Sequence, residues 1–206
     1  MKVNRIVTGS YLENTYLIFS EDMATAVILD PGVMAMQKIR PFLQRQTRVE
    51  AIFITHPHID HIYDLKLVKD ETGAEIYMHF ADLPILADYK ADADVIAYRP
   101  PPPPPGPDRY WEDGDRIELG GLSFEIIHTP GHTPGSVCIR CESGIFTGDT
   151  LMNGAIGQTG NPDQYAELMD SIRTKLLSLP DDTIIFPGHL LPSTIGKEKQ
   201  CNFELY

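Results

Sequence analysis

The sequence predicts an α+β fold of the αββα type, in which two β-sheets pack face to face and helices cover both outer faces. Two observations carry this prediction. Short apolar and β-branched runs come in two groups along the chain, and a segment with helical periodicity follows each group. No stretch between the groups has the composition of a domain linker, so we expect residues 1–206 to form a single domain in four layers.

The first group of predicted elements consists of five strands and two helices, and a polar loop begins after its fourth strand. Its strands are expected over residues 3–7, 15–19, 25–29, 51–54 and 74–78. The third strand runs into a turn at Asp30-Pro31-Gly32, and helical spacing over 33–43 follows, interrupted at Pro41. A second helix, with apolar spacing from Ile62 onward, is predicted to end at Gly73, because glycine tolerates the left-handed conformation of a helix cap.

The second group begins after a proline-rich stretch. Residues 80–99 suggest only an irregular helix, and Pro100–Pro105 predicts a polyproline II spacer, with a pocket rim or a proline-recognition ligand as alternatives. The strands of this group are expected over residues 116–119, 122–127, 136–140, 144–147 and 183–186. Asn161 is predicted to cap a helix that has apolar positions from Tyr165 onward and ends at Pro180.

The most informative stretch is Thr55-His56-Pro57-His58-Ile59-Asp60-His61, which follows the buried run Ala51-Ile52-Phe53-Ile54. The proline after the first histidine favours an extended backbone there, so the first two imidazoles point to the same side. Asp60 and His61 then lie where a strand-end loop passes into a helix. Neutral imidazole and carboxylate are the usual nitrogen and oxygen ligands of zinc and similar ions, so this density of ligands predicts a metal site rather than a solvated loop.

His132, Asp149 and His189 share one setting. Each follows a strand-like run and lies in a turn rich in glycine and proline, where a rigid sheet can hold a loop in place. If the strand ends share one edge of the sandwich, the candidate metal ligands are His56, His58, Asp60, His61, His132, Asp149 and His189. Seven ligands are too many for one tetrahedral ion and suit two ions with a shared carboxylate.

The remaining histidines and the cysteines predict structural roles. His79 and His128 each stand alone near a strand end, where a structural position is more common than a ligand. Cys138 and Cys141 would face opposite sides of an extended strand and would chelate poorly. Cys201 near the end of the chain has no assigned role.

Composition and charge argue against several classes of function. The chain is 42% hydrophobic and 22% charged, as in ordinary globular proteins, and its formal net charge of -12 argues against a nucleic-acid partner. We expect no membrane association, because we find no signal peptide and no apolar run of about 18 residues. Three cysteines give no disulfide framework, so we expect the protein in the cytoplasm.

Together these motifs resemble those of the metallo-β-lactamase superfamily. The matching pieces are Thr55-His56-Pro57-His58-Ile59-Asp60-His61, Gly131-His132-Thr133-Pro134-Gly135, Gly148-Asp149-Thr150 and Pro187-Gly188-His189, in the family's order. The resemblance implies the four-layer αββα sandwich of that family. It also implies one metal held by His56, His58 and His132. A second metal would be held by Asp60, His61 and His189, with Asp149 bridging both.

Within the superfamily the chain is most similar to the small glyoxalase II-like hydrolases. It carries Leu190-Leu191 where those hydrolases usually have Gly-Pro, and Gln158 where they tend to have arginine. Zinc β-lactamases of the best-known group carry a cysteine where Asp149 stands, so the resemblance favours a hydrolase of another kind.

The function implied by the resemblance is hydrolysis of an acyl thioester or related ester with two divalent ions, zinc first and iron or manganese as alternatives. Water between two such ions ionises near neutral pH, which supplies hydroxide, and Asp60 is the candidate catalytic residue that positions it or later carries a proton. The alternatives are a persulfide dioxygenase with one iron, a lactonase-type hydrolase, a nuclease, and a metal-binding protein without turnover. The presence of both His61 and His189 favours the hydrolase over the dioxygenase.

Overall fold

The computed structural model describes residues 1–89 and 101–206, and its first six strands form one mixed sheet. These strands are β1 (Lys2–Thr8), β2 (Glu13–Phe19), β3 (Thr25–Leu29), β4 (Arg48–Phe53), β5 (Glu75–His79) and β6 (Arg109–Trp111). They lie side by side in chain order, antiparallel from β1 to β3 and parallel from β3 to β6. Every residue of β2 and β3 is buried, as expected for central strands that are covered on both faces.

The second sheet is built from the later part of the chain. Its region contains β7 (Arg116–Leu119), β8 (Leu122–His128), β9 (Val137–Cys141), β10 (Gly144–Gly148), β11 (Leu151–Met152), β12 (Ala155–Ile156), β13 (Ile184–Pro187) and β14 (Ser193–Thr194). The sheet order is β14-β13-β10-β9-β8-β7, whereas β11 and β12 pair only with each other. Only β10 and β13 run parallel within this sheet.

Helices flank both sheets. They are α1 (Ala35–Ile39), α2 (Ile59–Ile62), α3 (Leu65–Thr72), α4 (Leu83–Ala87), α5 (Pro162–Ser171) and α6 (Ile195–Cys201). Gly73 ends α3 in the left-handed conformation with φ of 68°, and the Asn161 side chain caps α5 by accepting two backbone N–H groups, as predicted. Pro41 lies in a 3-10 turn directly after α1. None of the helices in the described ranges has the length and apolar character that a membrane crossing requires.

Three hydrophobic clusters hold the layers together. Between the sheets, Phe53 of β4 meets Trp111 and Phe124 edge to face, with ring centroids 5.1 Å apart in both pairs. On the outer face of the first sheet, helices α1 to α4 bury apolar residues such as Val68. On the outer face of the second sheet, Leu168 of α5 lies in a cluster that α6 also joins. The predicted αββα sandwich is therefore confirmed.

Several elements differ from the sequence-based expectations. The helix that begins after Asn161 does not continue to Pro180 as an α-helix, because a π-helical turn over Ile172–Leu176 follows α5. Tyr165 is 44% exposed, whereas Leu168 and Met169 of the same helix are buried. The sequence analysis did not predict five short elements: β6, β11, β12, β14 and α6. Each is too short to show a clear periodicity.

The stretch between the two groups is described only in part. Residues 80–87 form a 3-10 turn, Phe80–Asp82, followed by α4, which agrees with the expectation of an irregular helix there. Residues 90–99 of that expectation, and Pro100 of the proline run, lie outside the described residues. Residues 101–105 contain neither helix nor strand.

Candidate metal centre

The seven predicted ligands meet at one edge of the sandwich. They lie directly after four strands: β4 of the first sheet, and β8, β10 and β13 of the second. Five of them lie in loops, and Asp60 and His61 lie in the short helix α2 that follows β4. Three overlapping groups have donor atoms within 4.8 Å of one another. The groups are His56 with His58 and His132, His56 with His61 and Asp149, and Asp60 with His61 and His189. The sequence analysis could predict this convergence only on the condition that the strand ends share one edge of the sandwich. The structure meets that condition.

The first donor group consists of three imidazoles. The His132 Nε2 atom lies 3.2 Å from His56 Nε2 and 3.0 Å from His58 Nδ1. His56 and His58 point to the same side, as predicted, with their ring centroids 4.8 Å apart. Burial, followed by the neighbouring imidazoles, lowers the pKa of His58 to about 4, so this ring is neutral near pH 7 and available as a ligand.

What we call the second donor group consists of Asp60, His61 and His189, and it adds a carboxylate to the imidazoles. The His189 Nε2 atom lies 3.2 Å from Asp60 Oδ2, and His61 Nε2 lies 4.0 Å from the same oxygen. Asp149 stands between the two groups: its Oδ1 atom is 3.6 Å from His61 Nε2, and its Oδ2 atom is 3.8 Å from His132 Nε2. This is the position that a carboxylate shared by two ions requires.

Two polar atoms of this cluster indicate that a cation belongs there. His61 Nε2 and Asp149 Oδ1 are both fully buried and have no hydrogen-bond partner. Buried polar groups are almost always paired, because an unpaired one costs about 1–3 kcal/mol. A divalent ion between these atoms would satisfy both, and imidazole with carboxylate is the donor set such ions prefer. The residues present therefore fit a metal pair.

The electrostatics of the second group depend on its carboxylates. Burial by itself would lower the pKa of His61, but Asp60, Asp149 and Asp30 together raise it well above its ordinary value. Burial would raise the pKa of Asp60, and His61 and His189 outweigh it and lower that pKa. These pKa directions show that the acidic groups stabilise positive charge in the pocket. Bound cations would supply such a charge.

Hydrogen bonds around the cluster orient four of the imidazole rings, and two of these rings, those of His132 and His189, bond to backbone carbonyls. His132 Nδ1 lies 2.7 Å from the carbonyl oxygen of Gln158, and His189 Nδ1 lies 3.0 Å from that of Tyr11. A carbonyl only accepts, so each Nδ1 carries the proton and each Nε2 is left to bind a metal. The Gln158 contact is made by its backbone, so the contact does not depend on which side chain stands at that position.

Asp30 orients His56 and His61, although the sequence analysis assigned no functional role to this residue. Its Oδ2 atom accepts a hydrogen bond from Thr55 Oγ1 at 2.7 Å and lies 3.1 Å from His61 Nδ1. Thr55 Oγ1 in turn lies 3.1 Å from His56 Nδ1. The one available signal was an aspartate directly after a strand, in the segment read only as a turn. Its φ of 49° is unusual for a residue other than glycine.

Glycine at position 188 is required by the close approach of the ligands. A Cβ atom there would lie 2.3 Å from Asp149 Oδ1 and 2.6 Å from the His61 ring. Any side chain would therefore displace Asp149 or His61, which explains why the motif around His189 carries glycine directly before the histidine.

The other predicted structural residues lie outside the donor groups. His79 and His128 stack on each other, with centroids 4.1 Å apart and planes 12° apart. Cys138 is buried in the cluster under α5, whereas Cys141 packs against the cluster between the sheets, so the two thiols do face opposite sides. Within the described residues, no group of potential metal ligands includes a cysteine.

A cavity of about 840 Å³ opens over the ligands and is large enough for a small organic substrate. Asp60, Asp149 and three of the histidines form its floor. Its other lining residues are Tyr11, Ile59, Ile85, Thr133, Pro134, Met152, Ala155, Ile156, Gln158, Thr159, Gly160, Gln164 and Leu190. The cavity thus combines a charged floor with walls that are mostly apolar.

Comparisons with known proteins agree with this geometry. The family model of the metallo-beta-lactamase superfamily matches residues 9–189. Hydroxyacylglutathione hydrolase GloC of Haemophilus influenzae is 36% identical over 98% of this chain and 97% of its own. The crystal structure of BLEG-1 B3 metallo-beta-lactamase superposes with a TM-score of 0.89 and 32% identity, covering 99% of both chains.

A further solved structure contains metal: it is the crystal structure of TTHA1623 in a di-iron-bound form. It superposes on this chain with a TM-score of 0.83 and 30% identity, covering 97% of this chain and 98% of that one. The matched family model spans all seven predicted ligands and most of the chain. The protein therefore belongs to the metallo-β-lactamase superfamily.

Proposed function

We propose that this protein is a hydrolase that uses two divalent metal ions to cleave an acyl thioester or a related ester. The observation that carries the proposal is the complete second donor group, Asp60 with His61 and His189, beside the three imidazoles of the first. A single ion would need only one of these groups. Two adjacent ions lower the pKa of a shared water and polarise a carbonyl oxygen, which is the chemistry that thioester hydrolysis needs.

The residues of the chain would divide the remaining work. Asp60 lines the cavity, and its Oδ2 atom faces His189. It is therefore placed to accept a hydrogen bond from the attacking water and to hold a proton for the departing thiolate. Because its pKa is lowered by His61 and His189 despite burial, Asp60 serves better as an orienting group than as a strong base.

Two similarities support this choice of chemistry. GloC, whose name describes hydrolysis of a hydroxyacylglutathione, is similar along nearly its whole length. TTHA1623 holds two irons, so iron stands beside zinc and manganese as a candidate metal for this chain. We take zinc as the first candidate because the ligand set of imidazoles and carboxylates suits it well.

The test begins with removal of the metals. Chelation should abolish hydrolysis of a panel of acyl thioesters, and two equivalents of Zn, Mn or Fe should restore it. Asp60→Asn should lower kcat/KM at least about 100-fold, since it removes a group that handles the water. Asp70→Asn, at an exposed position on α3, is the matched control and should leave kcat/KM unchanged. A fully metallated protein that hydrolyses none of the thioesters would refute the proposal.

Hydrolysis of a β-lactam is a second candidate, favoured by the close superposition on BLEG-1. The same metal-loaded samples should therefore be assayed with a chromogenic cephalosporin. Turnover of the β-lactam that exceeds turnover of every thioester would make the lactamase reading the better one. One iron per chain together with oxygen consumption would instead favour the persulfide dioxygenase.

A further inference from the structure

Leu190 has a backbone conformation that its side chain disfavours. Its φ is 67°, in the left-handed region where residues other than glycine are strained. The residue directly follows the ligand His189, and its side chain gains little from burial because it is 51% exposed. Strain of this kind is concentrated at ligand clamps and active sites, where neighbouring structure enforces it.

The enforcing structure is visible in the hydrogen bonds of the Leu190 carbonyl. This oxygen accepts from Asn14 Nδ2 at 2.8 Å and from an Arg5 guanidinium nitrogen at 2.9 Å. Asn14 is fully buried, and it also donates to the Pro187 carbonyl at 2.9 Å. The segment from 187 to 190 is therefore fastened to the start of β2, and Leu190 is held in place rather than left to move.

Tyr11 lies beside Leu190 on the cavity wall. It is 47% exposed, it lines the same cavity, and its carbonyl accepts from His189 Nδ1. Two large apolar side chains thus line the cavity that His189 also lines, and the backbone of each is joined to His189: Leu190 follows it in the chain, and the Tyr11 carbonyl accepts its hydrogen bond. Rigid scaffolding of this sort is what a binding surface needs.

The charged residues of the cavity lining also favour an apolar ligand group. Its described lining contains no lysine and no arginine, although it contains the carboxylates of Asp60 and Asp149. A carboxylate on the acyl group, away from the metal ions that the floor would hold, would thus meet no lysine or arginine among these residues. An uncharged, apolar group would instead gain contact with the walls.

From these observations we propose that Tyr11 and Leu190 form the acyl-binding wall of the cavity and that the preferred substrate carries an uncharged, apolar acyl group. This inference rests on the thioesterase function proposed above and specifies its substrate class. Leu190 is the specificity-determining residue in this account, because its strained backbone keeps a branched apolar side chain at the cavity wall beside the metal ligands.

The kinetic test uses acetyl, butyryl and hexanoyl thioesters of N-acetylcysteamine, a neutral thiol. In the wild-type protein kcat/KM should rise with acyl length. Leu190→Gly should lower kcat/KM for the hexanoyl thioester roughly tenfold and for the acetyl thioester much less, since only the longer chain reaches the wall. Leu190→Asn, which also tolerates the left-handed conformation, should have the same effect. Melting temperature should stay equal or rise in Leu190→Gly, because glycine relieves the strain.

The matched control is Leu12→Gly. Leu12 also has a positive φ, 57°, and is 63% exposed, but it does not line the cavity. The control should leave the dependence on acyl length unchanged. A wild-type protein indifferent to acyl length, or equal losses in Leu12→Gly and Leu190→Gly, would overturn the proposal. All variants should retain the metal content of the wild type, which separates loss of the wall from loss of the metal ligand beside it.

A binding measurement separates this inference from the proposed function. Hexanoate and acetate are titrated into the zinc-loaded protein by calorimetry, which needs no turnover. Hexanoate should bind more tightly than acetate, and Leu190→Gly should remove most of the difference. If no thioester is hydrolysed, the thioesterase proposal fails, while this titration still decides whether Leu190 forms an apolar wall. Equal affinities for both acids in the wild-type protein would refute the wall.

Discussion

At the scale of single residues, Asp30 is the group on which the orientation of His56 and His61 depends. Its carboxylate accepts from Thr55 and from His61 Nδ1, and Thr55 continues the chain of hydrogen bonds to His56 Nδ1. A carboxylate can only accept, so it fixes the tautomer in which both Nε2 atoms are free for a metal. The buried and unpaired Nε2 of His61 is the consequence.

Asp30→Asn should therefore weaken the second metal site more than the first, because Asp30 contacts His61 directly and reaches His56 only through Thr55. The amide keeps the shape of the carboxylate but can present an N–H to His61 Nδ1, which favours the wrong tautomer. We expect about 10–100-fold lower affinity for the second ion. Metal titration should change from two tight ions per chain to one tight and one weak. Unchanged binding of both ions would show that Asp30 does not set the tautomer.

At the scale of elements, the 3-10 turn Phe80–Asp82 is a support for the loop that carries His132. Asp82 is fully buried and accepts from Thr133 Oγ1 and from the Gly135 backbone N–H, both at 2.7 Å. A turn that follows β5 of the first sheet thereby holds the His132 loop, which follows a strand of the second sheet. Burial raises the pKa of Asp82 to about 6, although these two hydrogen bonds act to lower it.

The raised pKa predicts how Asp82 affects stability. An unfolded aspartate ionises near pH 4, so between about pH 4 and 6 the folded protein binds more protons than the unfolded chain. The contribution of Asp82 to stability therefore falls as pH rises through this window. Asp82→Asn, similar in shape and unable to titrate, should be less stable relative to wild type at pH 4 than at pH 7.

Urea unfolding of the metal-free proteins from pH 4 to 7 measures this difference. Other titrating groups are common to both proteins and cancel in the comparison. Asp88→Asn, at an exposed position after α4, serves as the control and should follow the wild-type profile. A constant difference between Asp82→Asn and wild type at every pH would rule out the raised pKa.

At the scale of the whole molecule, the candidate metal centre joins the two halves of the sandwich. Four of the ligands follow β4 of the first sheet, and His132, Asp149 and His189 follow strands of the second. The unfolded chain does not hold these side chains together, so metal binding favours the folded state.

Metal loading should accordingly raise the melting temperature. An ion present at 100 times its Kd adds about 2.7 kcal/mol to the free energy of unfolding. For a domain of this size that corresponds to an increase of about 5–10 °C. Calorimetry with and without Zn measures the shift, and Mg, which prefers oxygen ligands, should produce much less. Equal melting temperatures in chelator and in Zn would mean that the ligands do not bind an ion jointly.

The sequence by itself determined most strands, two helix caps and the seven residues of the candidate ligand cluster, which the structure brings together. These features are local: strand and helix periods, cap residues and the chemistry of imidazole and carboxylate can each be read within a few positions. The sequence did not determine the order of the strands in the sheets. The meeting of the strand ends at one edge was therefore an assumption of the sequence analysis.

The tertiary structure alone decided the roles of Asp30, Asp82 and Leu190. Asp30 acts on His61 across 31 positions, and Asp82 acts on Thr133 across 51. The carbonyl of Leu190 bonds to Asn14 at a separation of 176. Such contacts depend on how the two sheets pack and in which register their strands pair. Local periodicity carries no information about these long-range relations, since the same short pattern can pack against many different partners.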